Sequence, residues 1–298
     1  MNKTRVFLFG GGVIMADLMR RLGEDQRFVL VGLHPRQADG LDMMAIAQAR
    51  GIPCYPSDEI NSESYLATVA ATLPDLIVSC NEKLIFRERL IGLSRVASLN
   101  IHGGVLPLQR GGGSIYSAFV NGQPVGMTVH HLSRGIDEGD IILQTKRAIA
   151  AHETALDVQR WYHEIGGELY YRAIDDLLRG KSVATPQSGQ PYTYVPAKPE
   201  FDEFIDWTEP SELIHNKIRG RQSGVINFSF HGERKFYILE SALVRDIPPY
   251  YGACGQVIQR RSDGVVVKTG DGALLLKRIR EEGGEACTPT FRLATTLG

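Results

Sequence analysis

The first hundred residues alternate short, almost wholly apolar runs with segments of helical periodicity. The apolar runs predict strands at 5–9, 28–34, 74–80 and 97–102. The periodic segments between them predict helices at 13–22, 41–51 and 88–93. Apolar strands that alternate with helices are typical of a parallel sheet covered on both faces. The pattern therefore predicts a doubly wound α/β domain with a mostly parallel, Rossmann-like sheet.

The pattern changes after residue 181. A long amphipathic stretch over 155–181 predicts a helix that closes the first domain. Periodicity then stops, and four prolines fall within 182–203, which indicates a linker. Beyond the linker, short β-type runs separated by His-Gly and Asp-Gly pairs predict a small barrel or sandwich. We therefore predict two domains, one over 1–203 that includes the linker and one over 204–298.

Composition and charge exclude several classes of protein. The chain has 298 residues, of which 43% are hydrophobic and 22% charged, so it is not a disordered protein. Lys and Arg total 33 against 34 Asp and Glu, which leaves no overall field to attract nucleic acid or an anionic membrane. The cysteines are widely spaced, so we expect neither a structural zinc site nor a disulfide framework. No apolar stretch has the length of a membrane span or signal peptide, which predicts a cytoplasmic protein.

One strand end, "LNIHGG" at 99–104, carries the clearest candidate chemistry. Residues two apart on a strand project from the same face, so Asn100 and His102 point the same way. Histidine exchanges a proton near neutral pH, and an asparagine amide can donate a hydrogen bond to an oxyanion. The following Gly103 and Gly104 would let a substrate approach the backbone. The alternative is a structural histidine that is hydrogen-bonded at the end of a strand.

A second polar cluster follows at 133–144, where Asp137, Glu138 and Asp140 precede an apolar strand. A carboxylate directed at His102 would raise the basicity of that imidazole and fix its tautomer. The alternative is a solvated acidic turn. His130 and His131 alternate on the strand before this loop, so one of them faces inward, and we interpret that one as a packed core residue.

The glycine triplet at 10–12 raises the alternative of a phosphate-binding turn before a helix. It lacks the full G-x-G-x-x-G spacing, and His34 and Pro35 stand where an acidic residue would end the second strand. A tight strand-to-helix turn is therefore the preferred interpretation.

Three segments together resemble the formyltransferases that use 10-formyltetrahydrofolate. They are "DLIVSCNEKLI" (75–85), "SLNIHGGVLPLQRGGG" (98–113) and "VNGQPVGMTVHHLSRGIDEGDIILQ" (120–144). The matching positions of the family pattern are Asn100, His102, Leu106 with Pro107, Arg110 with Gly111, Gly126, Thr128 and Asp137. The resemblance covers residues 3–180. The segment 201–220 and the β-rich remainder further resemble the OB-like barrel domain of the methionyl-tRNA enzymes.

The resemblance implies an N-formyltransferase with 10-formyltetrahydrofolate as cosubstrate and no metal. It implies that Asn100 and His102 stabilise the oxyanion, while Asp137 pairs with His102 and supports proton transfer. The residues implied for folate binding are Lys83, Leu84, Ile85, Gly135, Ile136, Gly139 and Asp140. Those implied on the acceptor side are Gly103, Gly104, Arg110 and Gly111.

The acceptor is less determined. Methionyl-tRNA formyltransferases carry a basic insertion after the second strand, whereas residues 34–51 have no excess positive charge, which disfavours a tRNA partner. We predict a small-molecule amine, and first a nucleotide-linked amino sugar, because the small residues around Arg110 leave space for a bulky ligand. The alternatives are an N-hydroxyornithine or aminoacyl acceptor, methionyl-tRNA, and a non-catalytic folate- or nucleotide-binding module. Assembly as a homodimer is left open.

Overall fold

The computed structural model of the protein describes residues 2–196, 203–221 and 226–298. The chain forms two compact units. The first contains the residues up to Gly111, Pro124–Arg147 and Gln159–Val195. The second contains Gly112–Gln123, Ala148–Val158 and the described residues from Pro196 to Gly298. The predicted domain boundary was a single cut near residue 203, whereas two earlier segments join the C-terminal unit. Part of the predicted linker, 197–202, lies outside the described residues.

The first unit is built on a six-stranded sheet of order β2-β1-β3-β4-β5-β6. Its strands are β1 (Thr4–Gly10), β2 (Phe28–Pro35), β3 (Leu76–Cys80), β4 (Ala97–His102), β5 (Val125–His131) and β6 (Ile141–Arg147). The first four strands are parallel to their neighbours, and β5 and β6 pair antiparallel. The predicted mostly parallel α/β sheet is thus confirmed, with antiparallel pairing confined to one side.

Seven helices are present in the described part of the chain. They are α1 (Val13–Glu24), α2 (Met43–Ala49), α3 (Glu63–Ala71), α4 (Glu88–Ile91), α5 (Ser114–Val120), α6 (Ala155–Leu178) and α7 (Ser211–Gly220). Helix α1 buries Met15, Leu18 and Leu22 at helical spacing, and the Asp42 carboxylate caps α2 by accepting from two backbone N–H groups. None of these helices is long and apolar enough to cross a membrane.

The core of the first unit explains why its strands are so apolar. Phe7 and Phe9 of β1 are fully buried and pack in one cluster with Ile77 of β3 and Leu66 of α3. From helix α6, Tyr170 is also fully buried, and its hydroxyl donates to the carbonyl oxygen of Ser79 at 3.1 Å. Burial on both faces leaves polar side chains only where the strands end.

The second unit contains an antiparallel sheet of order β7-β8-β11-β10-β9. Its strands are β7 (Phe228–His231), β8 (Arg234–Leu243), β9 (Val257–Arg261), β10 (Gly264–Lys268) and β11 (Ala273–Glu281), with the short β12 (Ala286–Cys287) beside β11. The predicted His-Gly and Asp-Gly turns fall between β7 and β8, β9 and β10, and β10 and β11. The first residues of the predicted strand "GVINFSF", at 224 and 225, are not among the described residues.

The predicted barrel is not closed by strand pairing in the described residues. No ladder joins the edge strands β7 and β9. Instead, the end of the chain hydrogen-bonds to both edges: Ala294 donates to the Val257 carbonyl oxygen at 2.9 Å, and Gly298 donates to that of Phe230 at 3.0 Å. A short terminal segment therefore satisfies edge groups that a closed barrel would pair between strands.

Candidate active site

Asn100 and His102 lie near the end of β4, at the carboxyl edge of the parallel strands. In the antiparallel register of β4 and β5, Asn100 is directly opposite His130, and His102 is opposite Thr128. Directly opposite residues place their side chains on the same face of a sheet. The amide of Asn100 and the imidazoles of His102 and His130 therefore share one face.

Asp137 lies between these two imidazoles. It belongs to the loop between β5 and β6, and its φ of 55° is in the left-handed region, which a short acidic side chain tolerates. Its Oδ2 is 3.4 Å from Nδ1 of His102, and its Oδ1 is 3.5 Å from Nε2 of His130. Oδ2 also accepts a hydrogen bond of 2.9 Å from the backbone N–H of Gly111. The structure thus brings together the three residues that the sequence singled out.

His130 is a part of the site that the sequence interpretation missed. It is buried, at 2% exposure, and its Nε2 is 3.2 Å from Nδ2 of Asn100. Its Nδ1 is 2.8 Å from the carbonyl oxygen of His131, so Nδ1 carries the proton in the neutral ring. Nε2 is then the acceptor for the Asn100 amide, and His130 fixes which end of that amide faces it. The inward-facing histidine of this pair therefore has polar partners and is more than packing.

Burial and charge act in opposite directions on the two partners of the central pair. Desolvation lowers the pKa of His102 below its usual value, and the charge of Asp137 offsets only part of this effect. Burial alone would raise the pKa of Asp137, but the bond with His130, the proximity of His102 and the Gly111 N–H hold this pKa well below its usual range. At neutral pH, Asp137 therefore carries the negative charge and the His102 imidazole is neutral.

The tautomer of His102 follows from its second partner. Nε2 lies 2.7 Å from the carbonyl oxygen of Gln109, and a carbonyl oxygen only accepts. Nε2 is thus the protonated nitrogen of the neutral ring, and Nδ1 faces Asp137 with its lone pair. A proton taken up at Nδ1 would be stabilised by the carboxylate 3.4 Å away. This arrangement can accept and return one proton.

The loop after His102 is packed tightly around the imidazole. A Cβ on Gly104 would lie 2.5 Å from Nε2 of His102, and one on Gly103 would lie 2.9 Å from the ring of Tyr162. The hydroxyl of Thr128 donates to the carbonyl oxygen of Gly104 at 2.7 Å and so holds the loop. Both glycines therefore make room for side chains of the protein itself; their expected contact with a substrate stays a prediction.

Arg110 binds the acidic loop from the inside of the protein. Its guanidinium is 5% exposed and donates to Oε1 of Gln187 at 3.0 Å and to Oε1 of Glu138 at 3.2 Å. Gln187 in turn donates to the carbonyl oxygens of Asp137 and Gly139 at 3.0 and 2.6 Å. Arg110 and Gln187 thereby fix the backbone around Asp137. The sequence gave no sign of Gln187, because it lies 50 residues from Asp137.

Comparison with known proteins decides the family. The formyl transferase family model matches residues 6–174, and the model of the formyl transferase C-terminal domain matches residues 199–293. The chain belongs to the formyltransferase family. Its sequence relatives include the methionyl-tRNA formyltransferase of Synechococcus sp. (strain JA-2-3B'a(2-13)), 30% identical over 80% of this chain and 76% of the relative. That of Macrococcus caseolyticus (strain JCSC5402) is 25% identical over 94% of this chain and 92% of the relative.

Solved structures with the same fold include formyltransferases of small molecules. An N-formyltransferase of Helicobacter canadensis, in complex with folinic acid and dTDP-3-aminofucose, has a TM-score of 0.70 at 19% identity and covers 94% of this chain and 100% of its own. The sugar 3N-formyl transferase WlaRD has a TM-score of 0.68 at 18% identity, with 93% and 98% covered. HypX of Aquifex aeolicus has a TM-score of 0.62 at 17% identity, with 96% of this chain and 48% of HypX covered.

The segments predicted to bind the formyl donor of this formyltransferase lie in two loops. Lys83, Leu84 and Ile85 follow β3, and their turn is fixed because Oε1 of Glu82 accepts from the N–H groups of Lys83 and Leu84 at 2.7 and 3.0 Å. Ile85 is 58% exposed and lines a cleft together with Leu66, Phe86, Arg87 and Arg134. This cleft is adjacent along the chain to both predicted segments.

The second loop holds the other predicted folate-binding residues, Gly135, Ile136, Gly139 and Asp140. Ile136 is 44% exposed. Any Cβ on Gly139 would collide with the carbonyl oxygen of His131, and the Asp140 carbonyl oxygen accepts from the His131 N–H at 3.0 Å. Gly139 is thus required by the close approach of two backbones, whereas Ile136 offers an apolar surface.

The glycine triplet forms the tight turn that the sequence favoured. Gly10 and Gly12 have φ of 107° and 90°, a region that disfavours side chains. At the start of α1, the position where a phosphate would bind is occupied by a carboxylate, because Oδ2 of Asp39 accepts from the Val13 N–H at 3.1 Å. Oδ2 of Asp39 is also 3.4 Å from Nε2 of His163. A second anion would meet the charge of Asp39 here.

Proposed function

We propose that the protein is an N-formyltransferase that moves the formyl group of 10-formyltetrahydrofolate to the amine of a small molecule, with a nucleotide-linked amino sugar as the first candidate. The observation that supports this chemistry is the buried cluster of Asn100, His102 and Asp137. It combines a neutral amide donor, a neutral imidazole and an ionised carboxylate within 3.5 Å of one another or of the shared His130.

The proposed reaction needs each of these groups. The amine nitrogen of the acceptor attacks the formyl carbon and gives a tetrahedral intermediate whose oxygen bears the negative charge. An N–H of the Asn100 amide stabilises this oxyanion. The amine loses one proton, the bond between the formyl carbon and N10 breaks, and N10 gains one proton. His102 relays the proton, since Asp137 stabilises the imidazolium that forms for the duration of the transfer.

Access to the Nε2 proton of His102 requires one exchange. In the structure this proton is donated to the carbonyl oxygen of Gln109. We propose that the formyl oxygen of the bound donor replaces Gln109 as acceptor. Gln109 has a φ of 75°, and its own backbone N–H is held by the Thr193 hydroxyl at 3.1 Å. The carbonyl of Gln109 would then keep the imidazole oriented before the substrate arrives.

The folate donor is supported by the position of the two predicted loops and by the ligands of similar proteins. The solved structures of the same fold include complexes with folinic acid, 5-N-formyl-THF and tetrahydrofolic acid. In this chain, Ile85 and Ile136 offer exposed apolar surface on the loops after β3 and before β6. Apolar side chains combined with backbone polar groups suit a flat heterocycle such as a pterin.

The small-molecule acceptor is supported by the charge of the segment after β2. Between residues 34 and 51, Arg36 and Arg50 are matched by Asp39 and Asp42. Arg36 donates to the Asn81 carbonyl oxygen, and Asp39 caps α1, so these two charges are used within the protein. Neutralising tRNA phosphates requires several free cations. Methionyl-tRNA is the second candidate, because the sequence relatives act under that name.

An assay of the purified protein tests the proposal. Release of tetrahydrofolate from 10-formyltetrahydrofolate would be measured with amino-sugar nucleotides, N5-hydroxyornithine, methionyl-tRNA or no acceptor, and the products weighed by mass spectrometry. We expect a formylated amide with an amino-sugar nucleotide. Product with methionyl-tRNA alone would move the second candidate to first place. Binding of the folate without transfer to any amine or to water would indicate a non-catalytic module.

A further inference from the structure

A second buried group of polar side chains lies outside the Asp137 cluster and comprises His34, Tyr65 and Glu82. His34, on β2, is 4% exposed. The side chain of Glu82, which follows β3, is also 4% exposed, and its Oε2 is 3.7 Å from Nε2 of His34. Across the described residues, Oε2 of Glu82 is the buried side-chain oxygen that has no hydrogen-bond partner. Buried carboxylates are costly unless they are paired, so this pair determines how Glu82 is held.

Glu82 shapes the first predicted donor loop. Its Oε1 accepts from the backbone N–H groups of Lys83 and Leu84 at 2.7 and 3.0 Å, which closes a turn at the start of the loop. The far end of the same loop is held by Asn61, whose amide donates to the Ile85 carbonyl oxygen at 2.8 Å. The backbone of the predicted folate-binding residues is therefore anchored on one side by the carboxylate of Glu82.

His34 cannot rotate away from Glu82. Its ring stacks on Phe9 with centroids 5.5 Å apart and an interplanar angle of 26°. Its Nδ1 is 3.0 Å from the Tyr65 hydroxyl and 3.2 Å from the Tyr55 carbonyl oxygen. An ionised carboxylate only accepts, so the neutral ring faces Glu82 with an N–H at Nε2, and Nδ1 accepts from the Tyr65 hydroxyl. Tyr65, His34 and Glu82 then form a directed chain of donors that ends at the loop.

We propose that His34 and Glu82 are positioning residues for the formyl donor: the imidazole holds the Glu82 carboxylate, and the carboxylate holds the 82–85 turn in the shape that binds the donor. This inference rests on the proposed use of the folate donor. Neither residue contacts the Asp137 cluster through any described bond. Loss of the pair therefore weakens donor binding and leaves the rate of the chemical step unchanged.

Steady-state kinetics of three variants tests this role. His34→Phe keeps a flat ring against Phe9 and removes the N–H, Glu82→Gln keeps an oxygen for the two loop N–H groups and removes the charge, and the third variant combines both. We expect His34→Phe to raise the KM for 10-formyltetrahydrofolate about tenfold, because it leaves a buried charge unpaired. kcat and the acceptor KM should stay within about twofold of wild type. The double variant should regain most of the lost donor affinity, since no charge is left unpaired.

Glu88→Gln, at the exposed first residue of α4, is the matched control and should leave all three parameters unchanged. Hydrogen exchange provides a readout besides activity: the Lys83 and Leu84 amides should lose protection in His34→Phe, while amides of β1 and β3 keep theirs. If His34→Phe does not fold, Glu82→Gln and Tyr65→Phe carry the same two measurements, with smaller expected changes.

Two results would overturn the inference. One is an unchanged donor KM with unchanged protection of Lys83 and Leu84. The other is a parallel change of kcat and both KM values, which would indicate a general structural role for the pair. A wild-type protein that transfers no formyl group from the folate to any acceptor would instead refute the proposed function, and the exchange measurement would still report whether His34 anchors the loop.

Discussion

Oδ2 of Asp137 lies 3.4 Å from Nδ1 of His102, and both side chains are largely buried. Because water is mostly excluded, the charge of one residue governs the protonation of the other. The pKa of Asp137 is lowered and that of His102 is lowered as well, so the pair rests as carboxylate and neutral imidazole. This resting state is the one from which a proton can be taken up.

Asp137→Asn should lower kcat by about 10² or more, because the imidazolium formed during transfer loses its counter-charge. The fold should persist, since asparagine tolerates the left-handed backbone and its oxygen can still accept from Gly111. Turnover at saturating substrates measures the effect. Asp263→Asn, in the exposed turn between β9 and β10, is the control and should turn over normally. Normal turnover of Asp137→Asn would assign this carboxylate a structural role.

The protonation of His102 can be observed directly by NMR titration of its ring. The pKa should lie below the usual value of 6.5 because the ring is buried. In Asp137→Asn the pKa should fall further, since the charge that favours the imidazolium is removed. A pKa that rises in this variant would contradict the assigned pairing.

His130→Met should lower kcat about tenfold, because the Asn100 amide loses the acceptor that orients it. The donor KM should change little, as His130 is remote in sequence from both predicted donor loops. His131→Gln is the matched control: it changes the neighbouring side chain on the same strand and leaves the backbone carbonyl that holds His130. Equal effects of the two substitutions would show that the strand, and not the His130 imidazole, is sensitive.

Gly104→Ala should reduce both stability and activity. The added methyl group would lie 2.5 Å from Nε2 of His102 and 3.0 Å from the Gln109 carbonyl oxygen, so the imidazole must move. We expect a loss of roughly 1–3 kcal/mol in unfolding free energy from overpacking, together with a fall in kcat of about tenfold or more. Denaturant unfolding and turnover measure the two effects. Gly23→Ala, in α1 with no atom near its added methyl group, should instead be neutral or stabilising.

The acceptor can be tested by its response to salt. Duplex nucleic acid binding weakens with a logarithmic slope of about −0.9 per contacted phosphate, whereas a nucleotide-linked amine offers at most two phosphates. We expect acceptor turnover to change only modestly between low and physiological salt, and no formylation of charged initiator tRNA. Efficient, strongly salt-sensitive formylation of methionyl-tRNA would reverse this assignment.

The sequence predicted the first unit well because each of its signals is local. Apolar runs with no polar face, as in Val6–Phe9, can only be strands buried on both sides, and the helices between them then require a parallel sheet. The hairpin turns of the second unit were equally local, since pairs such as Asp263 and Gly264 have few other conformations available. The spacing of Asn100 and His102 on one strand already placed them on one face.

Tertiary structure decided what depends on register and on distant segments. His130 acquires its partners because it lies opposite Asn100, and one step of slippage between β4 and β5 would have placed His131 there instead. The unit boundary was also invisible locally: Phe119 of α5 packs against Gly220 of α7, about a hundred residues later. Gln187 and Glu82 owe their places to chain crossings that bring remote backbone together. Sequence patterns report which face a side chain takes, whereas the partner on that face is set by the energy of the whole fold.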